Sequence, residues 1–286
     1  LATLYETTQM LPLVYTDVSQ AFATAKIGDT VNVRKPAVFT ANVFDRAVGI
    51  VPQNATETAI PVKLDKIADV SFTVTTEDLT LNISDFAEQF LDPAMEAIAQ
   101  HVDKAILALR DDVVQTAGTG AGFEWNKPEV LIEAGRLLDI KNVPTQDRYA
   151  VVGPTTKAQW LNTELLKHAD KSGTTAALRA GSIGRDVFGF QAFQTQNVGQ
   201  PGAVSGQPST EQGLAFHKTA FAFASAPLEV APGSNASVVT YKGINIRVAY
   251  DYDIKYKQTV VSLDTLYGVK TLDANRAVLL AGANNA

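Results

Sequence analysis

Two runs that alternate apolar and polar residues, longer than a compact domain ordinarily uses, constrain this chain more than any other feature. From Thr30 onward, Val31, Val33, Ala37, Phe39 and Ala41 fall on one side, with Asn32, Arg34, Pro36 and Thr40 mostly on the other. Val62, Leu64, Ala68, Val70, Phe72 and Val74 resume the pattern after a connector holding Gly49, Pro52, Asn54 and Pro61. A period of two places successive side chains on opposite faces of a strand, and a turn-rich connector joins two such runs as a hairpin. Arms of about twelve residues at roughly 3.3 Å each would reach roughly 40 Å. A two-stranded ribbon of that length is marginal alone in water and needs a surface to lie on. Two surfaces qualify on pattern alone: a neighbouring copy, or a larger sheet of the same chain.

Around these runs the chain reads as α+β. Leu1 to Lys26 has no sustained period and reads as an extended arm. Phe86, Phe90, Met95, Ile98, Val102, Ile106, Leu109 and Val113 step by three, four or five and predict a long helix from about Ser84 to Val114. Pro93 interrupts it, so a restart is expected, with Asp92 as N-cap and Gly118 helping to end it. Asn126 and Glu129 have capping-box spacing ahead of a helix through Val130, Ala134, Leu137 and Leu138. Arg148–Gly153 reads as a strand, Pro154–Leu165 as a helix, and Val187–Val198 and Leu214–Ala224 as strands. Alternation returns at Ile244, Ile246, Val248, Tyr250, Tyr252 and Ile254, followed by a return strand over Thr259–Leu272.

Composition excludes several chemistries. The 286 residues contain no cysteine, which removes disulfides, thiolate nucleophiles and thiolate metal sites. With 24 Lys+Arg against 30 Asp+Glu, the net charge of -6 lacks the basic excess of a protein that grips nucleic acid by neutralising phosphates. Lys167, Lys171, Arg179 and Arg185 form at most a local patch. No apolar run reaches the length of a membrane span. Leu1 is no translation start, so at least an initiator methionine is expected to precede it.

No catalytic, cofactor-binding or metal-binding residue is assigned. Adjacent Asp111 and Asp112 diverge on a helix, and Asp251 and Asp253 read as solvated surface. His101, His168 and His217 have none of the short spacings of zinc sites. Gly118, Gly120 and Gly122 follow a helix and lack the Lys-Ser or Lys-Thr of a phosphate loop, so they read as a hinge. Lys63 and Lys66 lie in the second run and read as exposed lysines of an edge strand, leaving subunit contacts non-covalent.

Five segments stand in order along the chain: DLTLNISDFAEQFLDPAMEAIAQHVDKAIL from Asp78, RYAVVGPTTKAQWL from Arg148, GRDVFGFQAFQTQNV from Gly184, GLAFHKTAFAFASAPLEV from Gly213 and LYGVKTL from Leu266. In that order they resemble the major capsid proteins of tailed bacteriophages with the HK97-type fold, specifically the coat family that includes the P22 coat protein. The resemblance implies an N-terminal arm over 1–29, an extended loop over 30–75, a peripheral domain with a long spine helix over 76–117 and 241–275, and an axial domain over 118–240 and 276–286. Leu165 to Gly184 leaves no room for the domain that the best-known member carries in its axial region. It further implies hexamers and pentamers of an icosahedral virion shell around double-stranded DNA, contacted weakly and without sequence preference. Portal and scaffolding proteins, with a decoration protein as an optional addition, are the implied partners, and the resemblance places assembly in the bacterial cytoplasm. An encapsulin shell enclosing enzyme cargo is the competing reading within the same fold, and a soluble hydrolase the competitor from another class.

Overall fold

The computed structural model describes residues 9–16, 30–35, 58–77, 90–168, 186–241 and 244–285, with 41, 46, 49 and 183 besides. Its organising element is the strand β12, Gln258–Thr271, whose Val, Thr and Tyr content suits extended backbone. Naming the rest in chain order, β1 is Thr30–Lys35, β2 Thr58–Lys63, β3 Lys66–Thr75 and helix α1 Asp92–Leu107. Then follow β4 Thr116–Ala117, α2 Val130–Ile140, β5 Arg148–Val152, α3 Pro154–Leu161 and α4 Glu164–Lys167. The remaining strands are β6 Asp186–Val187, β7 Phe190–Gln194, β8 Gly213–His217, β9 Phe221–Ala226, β10 Ala236–Tyr241, β11 Ile244–Asp253 and β13 Ala277–Leu280.

β12 pairs antiparallel with β3 over 258–267 on one side. It also pairs with β11 over 258–264 and with β9 over 266–271. With β10 at the edge beside β11, these form a five-stranded sheet. The second alternating run is therefore two strands. Only β2 pairs with β1, from Thr30↔Lys63 to Lys35↔Thr58, whereas β3 belongs to the five-stranded sheet. The chain breaks between them at Leu64 and Asp65. Residues 36–40 of the first run lie outside those described.

The partner of β3 is intramolecular. Ala68 is buried and Val70 and Phe72 half-buried in the core shared with α1, Val74 is buried on the same face of the strand, and Phe72 stacks on Phe90 at a centroid distance of 5.6 Å. Phe72→Asp is accordingly expected to destabilise the subunit itself by roughly 2–4 kcal/mol, through desolvated charge and a lost aromatic contact. A denaturant midpoint equal to that of the wild type would contradict this packing.

α1 begins at Asp92 without a side-chain cap. Leu91 is already in helical geometry, with Pro93 in the first turn. The expected N-cap at Asp92 is thus absent, because helical backbone enters from Phe90 and Leu91. Past Leu107 the chain tightens into a 3-10 turn over Ala108–Asp112, which ends at Val113 before Gly118 is reached. The inward stripe of Ala94, Met95, Ile98, Ala99, Val102, Ile106 and Leu107 is buried.

The other sheet has six strands in the order β4-β13-β8-β5-β7-β6. It is mixed: β5 runs parallel to β7 and antiparallel to β8, and β13 parallel to β4. Both of its faces are buried. Tyr149, Val151, Leu214, Phe216 and Ala277 join the core under α1 and the five-stranded sheet. Ala150, Val152, Ala215 and Val278 join a second core with Val130, Leu131, Ala134 and Leu138 of α2 and Trp160 of α3. A strand buried on both faces carries no apolar–polar alternation.

The capping box expected at Asn126 does not form. The chain enters α2 through successive three-residue turns, Val130 N–H to Lys127 O and Leu131 N–H to Pro128 O. The side-chain oxygens Asn126 Oδ1 and Glu129 Oε2 have no hydrogen-bond partner among the described residues. Gly118 sits at φ +119, where a Cβ would lie 2.4 Å from the Ala281 carbonyl oxygen, and its own carbonyl accepts from Trp125 N–H. The glycine stretch is thus tied down at its first residue, where a hinge was expected.

Candidate assembly surfaces

Large apolar side chains gather in solvent at one end of the five-stranded sheet. β11 and β12 join there in a turn, and Tyr250, Tyr252, Ile254 and Tyr256 are 46% to 71% exposed. Tyr250 and Tyr252 share one parity along β11, so they project to the same side, and Ile254 and Tyr256 lie in the turn that follows. The turn itself is well tied: Asp253 Oδ1 accepts from Lys255 N–H at 2.8 Å, and Thr76 N–H and hydroxyl both bond the Lys257 carbonyl. Lys255 Nζ lies 5.0 Å from the Tyr256 ring centroid. Large exposed apolar side chains clustered on one fixed hairpin make it a candidate contact site. β10 adds a sheet edge, on which Val239 is exposed as well.

The acids and histidines of the sequence are dispersed. Asp112 accepts from Thr271 Oγ1 at 2.6 Å, whereas Asp111 lies 3.6 Å from Arg110 Nε. Asp251 and Asp253 bond local backbone N–H groups. His101 lies edge-on to Tyr267, while His217 Nδ1 accepts from Thr219 N–H. Burial and the nearby Arg276 lower the His217 pKa. Among the described residues no group of three or more His, Asp or Glu is placed to hold a metal ion. Lys63 and Lys66 flank the break between β2 and β3. Of the basic patch only Lys167 is described; Lys171, Arg179 and Arg185 lie outside the described residues, as does most of 165–184.

Two carboxylates that the sequence reading passed over fasten the fold. Glu211, 3% exposed, accepts from the N–H groups of Thr155 and Thr156 and from Thr156 Oγ1. It thereby supplies from a distant loop the cap that Gly153 cannot give α3. Burial raises its pKa, but these hydrogen bonds outweigh burial and hold it below the usual value. Glu211→Ala is expected to lower stability by about 1–2 kcal/mol. The stability it adds is present above the usual carboxylate pKa and lost as pH falls through its depressed folded value. An alanine variant that kept the acid-unfolding midpoint of the wild type would contradict this role.

The second carboxylate, Asp103 on α1, is 3% exposed and receives the segment 9–15. Gln9 N–H donates to Oδ2 and Met10 N–H to Oδ1, each at 3.1 Å. Beyond them Met10, Leu11, Leu13 and Val14 are buried in the main core, and Tyr15 exchanges backbone bonds with Phe221 and Phe223 of β9. A short stretch near the start of the described chain thus ties α1 to the five-stranded sheet. No sequence pattern identifies Asp103, since a buried acid and an exposed one look alike on a helix.

The whole arrangement matches solved phage and encapsulin structures. A structure from Mycobacterium phage Che8 superposes with TM-score 0.69 at 21% identity, covering 96% of this chain and 92% of that one. The chain shares the fold of that phage structure. A capsid structure of cyanophage P-SCSP1u gives TM-score 0.60 at 14% identity, over 96% of this chain and 87% of that one. The encapsulin complex from Synechococcus elongatus gives 0.51 at 13% identity, over 90% and 83%. No family model matches the chain, and no curated protein matches it in sequence. At these identities it is the fold alone that is shared.

Proposed function

We propose that this chain is the major capsid protein of a tailed bacteriophage, a non-enzymatic subunit that assembles as hexamers and pentamers into an icosahedral shell around double-stranded DNA. The observation that carries the reading is the match of 96% of the chain to a cyanophage capsid structure. The exposed tyrosines of the β11–β12 turn supply the kind of surface that repeated lateral contact requires. In this reading α1 is the spine helix, 30–75 the extended loop with its last strand β3 built into the five-stranded sheet, 1–29 the arm, and the six-stranded sheet the framework of the axial domain. The order of the five capsid-like segments favours the P22-coat-like branch, with portal, scaffolding and possible decoration proteins as partners and the virion as destination.

Containment of DNA then rests on a closed wall. A net charge of -6 gives no overall attraction to a polyanion. Each subunit is held by several neighbours at once, so individually weak contacts suffice for a stable shell. Subunits titrated with duplex DNA at physiological salt are expected to bind weaker than about 1 μM; submicromolar, steeply salt-dependent binding would contradict the containment model. The encapsulin reading is kept because an encapsulin complex shares the fold. Particles made with their natural partners separate the two: nuclease-protected DNA supports the phage shell, and a co-purified enzyme without nucleic acid supports the compartment.

A further inference from the structure

We propose that the segment Gln9–Tyr15 is a releasable strap across α1, and that the proton on Asp103 sets how tightly it is held. The inference concerns the subunit itself and stands whether or not the shell reading does. Its geometric basis is the joint at Asp103, where two successive backbone N–H groups each meet one oxygen of a single carboxylate, both at 3.1 Å. No other side-chain anchor of the strap is described. Its remaining hold is apolar, through Met10, Leu11, Leu13 and Val14, with the backbone bonds of Tyr15 at its far end.

The groups facing Asp103 are uncharged. The cleft around it is lined by Gln9, Gln100, Gln194, Thr195, Gln196 and Asn197. The described part of the strap carries no charged side chain, and β9, FAFASA, carries none either. On α1 itself, Glu96, His101 and Lys104 are exposed. Arg110, two turns along, is engaged by the Gln212 side chain and the Leu107 carbonyl. Among the described residues, then, an ionised Asp103 has two N–H groups and no counter-charge. Burial raises its pKa to about 6, against the lowering effect of those two N–H groups.

An exposed carboxylate in the released state has the ordinary value, 3.8. The folded value is the higher one, so the strap is held best below about pH 4. It loosens as pH rises from there to about 6, and above that the loss is complete. Protonation keeps the carbonyl oxygen as an acceptor and leaves the hydroxyl oxygen a weaker one, a loss smaller than the cost it removes, that of a buried, uncompensated charge.

The test is amide hydrogen exchange of the full chain at pH 4.5 and 7.5, corrected for intrinsic rates, reading the amides of 9–15 against those of β8 as an internal control. Opening of the strap is expected to be about 30-fold more frequent at the higher pH, with β8 unchanged. In Asp103→Asn the pH dependence of 9–15 should vanish. Equal opening of the wild-type strap at both pH values, or an undiminished dependence in Asp103→Asn, overturns the proposal. Should the variant fail to fold, the wild-type pair of measurements decides alone.

Discussion

Gly268→Val is expected to destabilise the subunit by roughly 3 kcal/mol or more, the largest effect of any single substitution considered. A Cβ on Gly268 would stand 2.0 Å from the Lys63 carbonyl oxygen and 2.9 Å from its carbonyl carbon. Both are backbone atoms, so no side-chain rotation relieves the clash. The only escape is for β2 to lift from β12, and that exposes Val62, which is 0% exposed, together with Leu64, Ala222 and Ala224 of the same small cluster. The reason for glycine here is close approach of two backbones, since its φ is ordinary. Serine or alanine should fail almost as badly as valine, because the offending atom is Cβ. A denaturation midpoint within experimental scatter of the wild type in Gly268→Ala would show that β2 does not seat on β12 as described.

Ile254→Asp combined with Tyr256→Asp is expected to abolish particle formation while leaving the subunit folded. Ile254 and Tyr256 are 71% and 62% exposed, so their replacement removes little that the subunit buries. Exposed substitutions of this kind shift stability by about 0.5 kcal/mol or less. At a contact between copies the same carboxylates would be desolvated, and an unpaired buried charge costs several kcal/mol at each repeat of the interface. The two halves of the result are read separately, by circular dichroism on the subunit and by sedimentation on assemblies. Normal particle yield from the double variant would remove the β11–β12 turn from the assembly contacts.

Where one face of a strand meets solvent, the fold was legible. β3 reads off Ala68, Val70, Phe72 and Val74 because the residues between them face solvent, whereas β11 reads off Ile244 and Ile246 because the position between them is the polar Asn245, buried against Ser225. β13 was missed for the opposite reason: with both faces of the six-stranded sheet buried, AVLL is a plain apolar run. The break between β2 and β3 stayed hidden because Leu64 and Asp65 fill an even number of positions. Val62 and Ala68 therefore keep the same parity, and the period of two runs through the turn undisturbed. At α2 the capping-box spacing was present, but Pro128 and the tight turns around it set the backbone before Asn126 could cap anything.

The exposed hairpin was less legible than the fold. Tyr250 and Tyr252 alternate with Asp251 and Asp253, a pattern that ordinarily turns tyrosine inward. Only the pairing of β11 with β10 and β12 shows that this end of the hairpin runs past the core, so that both faces are solvated. Asp103 and Glu211 were silent in sequence because their partners, Gln9–Met10 and Thr155–Thr156, are 93 and 55 positions away at the nearest.

Electron microscopy of the wild-type chain after overexpression in bacteria tests the central claim most directly. Closed, curved particles built from many copies are the predicted result, in fields where the Ile254/Tyr256 double variant gives none. A chain that stays monomeric on size-exclusion chromatography up to high concentration, with no particles in the images, would contradict a shell-forming role and leave only the shared fold.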